Sequence, residues 1–272
     1  MNTKNIVSLL FAVTVVFCLG SCKKNTAVDS SDDTIFDAAS KHGTTEVLVQ
    51  NDNDVLNSLD NSFLEGKTIV ANIDYGLPGC AIKTVSGTFP HRVVTIDFGN
   101  VCTDSFNIQR KGIVHIQIDG YARRVGDSAI MTFDNYYVNG YHRQGKITWN
   151  CISRNSDSVV WTRRVDTGKI TSPNGNYWLH SGSKTVVQKG VPSPTEYVIT
   201  GAGSVTNSSG NTFVSQIISP LHKIVGCPRI VSGTINYIGT NHNALLDYGT
   251  GVCDSTATIS IDGGSPRTIT LL

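Results

Sequence analysis

Hydrophobic and polar residues alternate in strand phase along much of this chain. Val114, Ile116 and Ile118 take one phase against His115, Gln117 and Asp119, and Ala257, Ile259 and Ile261 oppose Thr258, Ser260 and Asp262. A period of two predicts half-buried strands. Turn signals punctuate the pattern at Asp119-Gly120, Val125-Gly126-Asp127, Asn139-Gly140, Thr167-Gly168, Pro173-Asn174-Gly175, Lys189-Gly190, Ser209-Gly210-Asn211 and Gly263-Gly264. Their spacing predicts about a dozen strands joined by tight turns, hence an all-β fold built as one large antiparallel meander. A sheet of that size must curl, close or fold onto itself, because long flat sheets are rare and bare edges associate. A barrel-like core, a sandwich and a strongly bent open sheet all meet that requirement. A helical period is found in one stretch, Asp52 to Phe63, where Val55, Leu59 and Phe63 share a face.

Two segments carry the same signals in the same order. Gly79-Cys80, Val85 to Thr88, Asp97-Phe98-Gly99, Cys102, Asp104-Ser105 and Ile116 to Gly120 recur as Gly226-Cys227, Val231 to Thr234, Asp247-Tyr248-Gly249, Cys253, Asp254-Ser255 and Ile259 to Gly263. Six elements in one order predict a structural unit used twice, at about 79–120 and 226–263.

The start of the chain sets the compartment. Lys4, the apolar run Ile6 to Phe17 and the small residues of Leu19-Gly20-Ser21 have the layout of a secretory leader over residues 1–21. The run is shorter than the roughly 20 residues that span a bilayer. Leu19-Gly20-Ser21-Cys22 is similar to a bacterial lipobox, and the resemblance implies cleavage before Cys22 and acylation of its thiol and amine, a stable anchor. Residues 22–66 then hold the anchor, a polar tether from Lys23 to about Thr44 and the short helix, and residues 67–272 form a single β domain.

With the leader removed, 21 basic residues balance 21 acidic ones, which argues against nucleic acid as a partner. Cys18 leaves with the leader and Cys22 carries lipid. Of the rest, Cys80/Cys102 and Cys227/Cys253 hold matching repeat positions, spaced 22 and 26 residues apart. Repeat-equivalent bridges are the simplest of the three pairings available to four cysteines, and an oxidising envelope favours disulfides. Cys151 is left as a buried free thiol.

Catalytic signatures are sparse. Ser181-Gly182-Ser183-Lys184 has Ser-x-x-Lys spacing, but that chemistry needs a helix start to bring both side chains to one face, and the flanking Tyr177-Trp178-Leu179 and Thr185-Val186-Val187 read as strand. The three glutamates, Glu46, Glu65 and Glu196, fall outside the predicted sheet core or in a loop, so a hydrolase would have to use Asp pairs. Asp97, Asp104, Asp247 and Asp254 recur with the repeat and read as turn residues. No cofactor or metal pattern is present: the histidines are scattered singly and no close ligand pair occurs.

The densest chemical signal lies between the repeats. Tyr136, Tyr137, Tyr141, Trp149, Trp161, Tyr177 and Trp178 fall within one segment together with Arg143, Arg163 and Arg164. Packing between strands accounts for such rings; the functional reading is a ligand-facing surface from Tyr136 to Trp178 for a glycan, a peptide or a partner protein. Charge on both faces, in Trp161-Thr162-Arg163-Arg164 and Tyr141-His142-Arg143-Gln144, argues against lipid-facing strands.

Asp97-Phe98-Gly99 with its cysteine, Arg110-Lys111-Gly112, and Thr132 to Gly140 resemble a family of β-rich envelope lipoproteins of Bacteroidota-type gram-negative bacteria, over roughly Gly79 to Leu272. The resemblance implies a cell-envelope location, the outer membrane ahead of the inner with either leaflet open, and carries no activity or site residues. Two function classes follow: a non-enzymatic, membrane-anchored binding or structural protein, and an envelope hydrolase acting through Asp.

Overall fold

A computed structural model describes residues 32–59, 77–191 and 194–272. Cys22, the leader, Glu65 and Phe63 lie outside the described residues. Among these residues helix α1 (Asp32–Asn57) comes first, followed by β1 (Ile82–Thr88), β2 (His91–Asp97), β3 (Cys102–Thr103), β4 (Gln109–Asp119), β5 (Ser128–Val138), β6 (Tyr141–Arg154) and β7 (Ser158–Thr171). It ends with β8 (Tyr177–Lys189), β9 (Glu196–Asn207), β10 (Thr212–Ile224), β11 (Ser232–Ile238), β12 (Asn243–Thr250), β13 (Thr256–Ile261) and β14 (Arg267–Thr270). The strands form one antiparallel meander in sequence order, with the short β3 pairing β4 off the main path. Among the described residues the sheet does not close: β1 and β14 are its two ends.

The predicted alternation sets the two faces. In β6, Ile147, Trp149 and Cys151 point inward and Lys146, Thr148 and Asn150 outward. The turn at Asn139-Gly140 has φ of 47° and 81°, and that at Asp262-Gly263 has 49° and 75°; positive values at both central residues match the right-handed twist of hairpin strands. Thr167-Gly168 is not a turn. It lies inside β7, where the pairing with β8 shifts register between Val165 and Gly168.

That shift belongs to a seam of bulges and glycines crossing the sheet. Register breaks fall at Lys111/Ile113, Thr132/Tyr137, Gln144/Lys146 and Val165/Gly168 on successive strand pairs. The backbones there approach so closely that a Cβ on Gly112 would lie 2.1 Å from the Asn135 carbonyl oxygen, and one on Gly182 would lie 2.8 Å from Gly203 Cα. Bulges and close glycine contacts bend a sheet sharply. The seam turns a long meander into a trough.

The trough is filled by α1, about 39 Å long at 1.5 Å per residue. Twelve consecutive residues, His42 to Asn53, are buried, so every side of the helix faces the sheet. This corrects two expectations. The segment read as tether is helix from Asp32, and the short helix read from Asp52 is no separate element but the end of this long one, which closes at Asn57. Threonines, Asp, Asn and Gly43 are poor helix formers; tertiary contacts hold the helix. Gly43 packs against Leu246 and Leu271, close enough that a Cβ would meet Leu246 at 2.9 Å.

Candidate functional site

The interior of the trough is polar where α1 passes the seam. Strand alternation puts Arg143 of β6, Arg163 of β7, and His180 and Lys184 of β8 on the inner face, and all four are buried. Opposite them α1 presents His42, Glu46, Gln50 and Asp52, also buried. Glu46 is hydrogen-bonded to Lys184 and lies 3.6 Å from Arg163. Arg143 donates to Asp52 Oδ2 through Nε at 3.2 Å and Nη2 at 2.5 Å. With its amide oxygen turned inward, Gln50 accepts from both terminal nitrogens of Arg163. His42 Nδ1 meets the Tyr237 hydroxyl at 2.9 Å, and the Trp178 indole donates to Thr45 Oγ1 at 2.7 Å. Further along, Lys223 donates to Asp54 at 2.9 Å.

Burial and pairing set the protonation states. Burial lowers His42 to about 4 against the pull of Glu46, and it holds His180 well below its ordinary value, helped by Arg143. Both histidines are therefore neutral near pH 7. Burial alone would raise Glu46, but Lys184, His42 and Arg163 outweigh it and bring the carboxyl down to about 2. Buried charges are retained only where partners replace water. The cleft lined by His42, Glu46, Arg163, His180 and Lys184 has free space on the order of a single water. It is a packed ionic core with no room for a substrate.

The ten residues read as a ligand surface do not share one. Tyr136, Trp149, Trp161, Trp178, Arg143 and Arg163 are all buried, at 5 % exposure or less. The alternation that makes β5 to β8 strands sends these side chains inward, where the indole of Trp161 donates to the Ala122 carbonyl at 3.2 Å. Tyr141 is half-buried and meets Trp178 edge-on at 6.3 Å. Arg164 points outward, paired with Asp166 at 2.6 Å. Tyr137 and Tyr177 are also on the outer face.

Ser181 and Lys184 fall on opposite faces of β8, the serine exposed and the lysine buried. Glu46, expected outside the sheet core, is at its centre. The repeat aspartates hold turns: Asp97 and Asp247 accept from the amides of Gly99 and Gly249 at 2.7 and 2.8 Å, Asp104 from Phe106 and Ile108, and Asp254 from Thr256. Disulfides join Cys80 to Cys102 and Cys227 to Cys253, and Cys151 is free and buried.

Among the described residues, one group brings possible metal ligands together, Asp32, His242 and Asp262 on the surface. Both carboxylates face the same nitrogen, His242 Nδ1, at 3.5 and 2.6 Å. The hydrogen bond to Asp262 raises the pKa of His242, and the three side chains form a hydrogen-bonded surface cluster. Against protein-family models, curated proteins and solved structures, no match to this chain was found.

Proposed function

We propose that this chain is a non-enzymatic binding protein of the cell envelope, anchored in the membrane through lipid on Cys22 after removal of residues 1–21, with the outer membrane as its location and the outer face of the sheet as its working surface. The observation that carries the reading is where the charged groups go. Glu46 and Asp52, the carboxylates a hydrolase would draw on, are committed to the ion pairs that seat α1 in the sheet, and the repeat aspartates are committed to turns. The interior holds a shape, and exposed side chains remain for recognition. Asp32 follows Cys22 by ten positions, so even a fully extended link keeps the start of α1 within about 35 Å of the bilayer. The matching placement of both cysteine pairs and both Asp-aromatic-Gly turns supports one unit used twice.

Detergent phase partitioning tests the anchor. Wild-type protein is expected in the detergent phase and Cys22→Ser in the aqueous phase; a variant that stays with detergent would contradict the reading.

A further inference from the structure

One row of side chains on the outer face differs from the rest of that surface. Across β4 to β8, direct cross-strand partners run Lys111, Tyr137, His142, Thr171 and Tyr177, and Lys169 lies on β7 two positions before Thr171. Strands are spaced about 4.8 Å apart, so the row is about 19 Å long, on a shallow solvent-facing surface. The Tyr137 and His142 rings stack at 4.4 Å with 11° between planes. Lys111 Nζ lies 4.1 Å from the centre of the Tyr137 ring, and Lys169 Nζ lies 4.5 Å from that of Tyr177.

The charge of the row is uncompensated. Lys41, Lys146, Lys184, Lys189 and Lys223 each pair with a carboxylate. Among the described residues Lys111 and Lys169 have no carboxylate partner and rest on aromatic rings. His142 feels the result: partial burial lowers its pKa, and Lys169 and Lys111 lower it further. Tyr137 is enclosed between His142 and Lys111 and offers a ligand its ring edge, while His142 and Tyr177 each have one face covered by a neighbour. The row thus joins aromatic edges and partly covered rings to two cations without carboxylate partners, which a neutral sugar would leave unused. The balanced charge of the whole chain gives no broad field for a nucleic acid.

We propose that Lys111, Tyr137, His142, Lys169, Thr171 and Tyr177 form a binding site for an acidic polysaccharide, whose carboxylates meet the two lysines while its sugar rings pack against the exposed edges of the aromatic row and against Tyr177. The proposal rests on the reading of this chain as a binding protein of the envelope and adds the ligand class.

The test uses full-length protein in detergent micelles with three probes: polygalacturonate, the same polymer fully methyl-esterified, and single-stranded DNA. Binding to polygalacturonate is expected, weakened by salt. Esterification, or Lys111→Gln with Lys169→Gln, should each weaken it about ten-fold, the worth of two exposed ion pairs. Tyr177→Ala should weaken it about three-fold or more, with Tyr177→Phe close to wild type. Thermal melting of the variants, which change outer-face side chains only, should match wild type. The proposal is overturned if polygalacturonate does not bind, if the ester binds equally, or if DNA binds as tightly and the tyrosine change has no effect. Such a failure with detergent partitioning intact rejects this site and leaves the anchoring reading standing.

Discussion

Glu46 on α1 and Lys184 on β8, 138 positions apart in the chain, form an ion pair inside the curled sheet. Breaking a buried pair by removing one partner leaves the other charge stranded, at about 3–5 kcal/mol, whereas removing both is often nearly neutral. Lys184→Met should therefore destabilise strongly, and Glu46→Gln with Lys184→Met should recover much of the loss. Urea unfolding of the two singles and the double measures this; additive effects would mean that the pair is not coupled.

Stability should fall on acidification from about pH 6.5 toward 4. Burial holds His42 at about 4 and His180 well below its ordinary value, so across that window the unfolded chain binds protons that the folded chain does not, and stability drops by up to about 1.4 kcal/mol per pH unit for each histidine. Glu46, at about 2 in the fold, extends the loss below pH 4.5. His242 acts in the opposite sense: its raised pKa gives a contribution present in acid and lost as pH rises. Urea midpoints at pH 7 and pH 5 report the balance, with His42→Gln expected to flatten the slope. A midpoint that does not move would contradict the neutral, buried histidines.

Much of this architecture was legible in the sequence because a half-buried antiparallel strand writes its two faces into alternate positions. The meander, most of its turns and both disulfides follow from alternation, Gly-containing dipeptides and the repeated cysteines. The helix was not legible. Amphipathic periodicity marks a helix with one wet face, and α1 has none between His42 and Asn53. Its polar residues are matched by side chains far along the chain, as Asp52 is by Arg143, 91 positions away. One signal was available: Arg163 stands in phase with Trp161 and Val165, at a position where alternation calls for an apolar residue, so an inward cation there required a buried acid elsewhere. The aromatic cluster misled for a related reason. A polar interior uses Trp and Tyr as large side chains with a hydrogen-bonding end, and composition does not distinguish that use from a stacking surface.

The tryptophans should behave as core. Trp149, Trp161 and Trp178 are 1 %, 5 % and 2 % exposed, so acrylamide should quench the folded protein's fluorescence weakly. Trp178→Ala should lower stability by about 3–5 kcal/mol. Strong quenching together with an unchanged melting temperature would contradict this placement.

The glycine seam makes a separate prediction. A methyl group on Gly182 would lie 2.7 Å from the Ala202 carbonyl oxygen, so Gly182→Ala should destabilise by about 1–3 kcal/mol. Gly79 has open space around its Cβ position, and Gly79→Ala should stay within about 0.5 kcal/mol of wild type. Equal effects at the two sites, read by thermal melting, would remove the seam as the cause of the curl.

The central claim is that α1 is enclosed by the sheet and held there by buried ion pairs, and native-state hydrogen exchange tests it most directly. Amides from Glu46 to Asn53 should exchange as slowly as those of the central strands β6 to β8, opening only with global unfolding. Fast exchange across that stretch, with β6 to β8 still protected, would show a helix lying outside the sheet and would contradict the account.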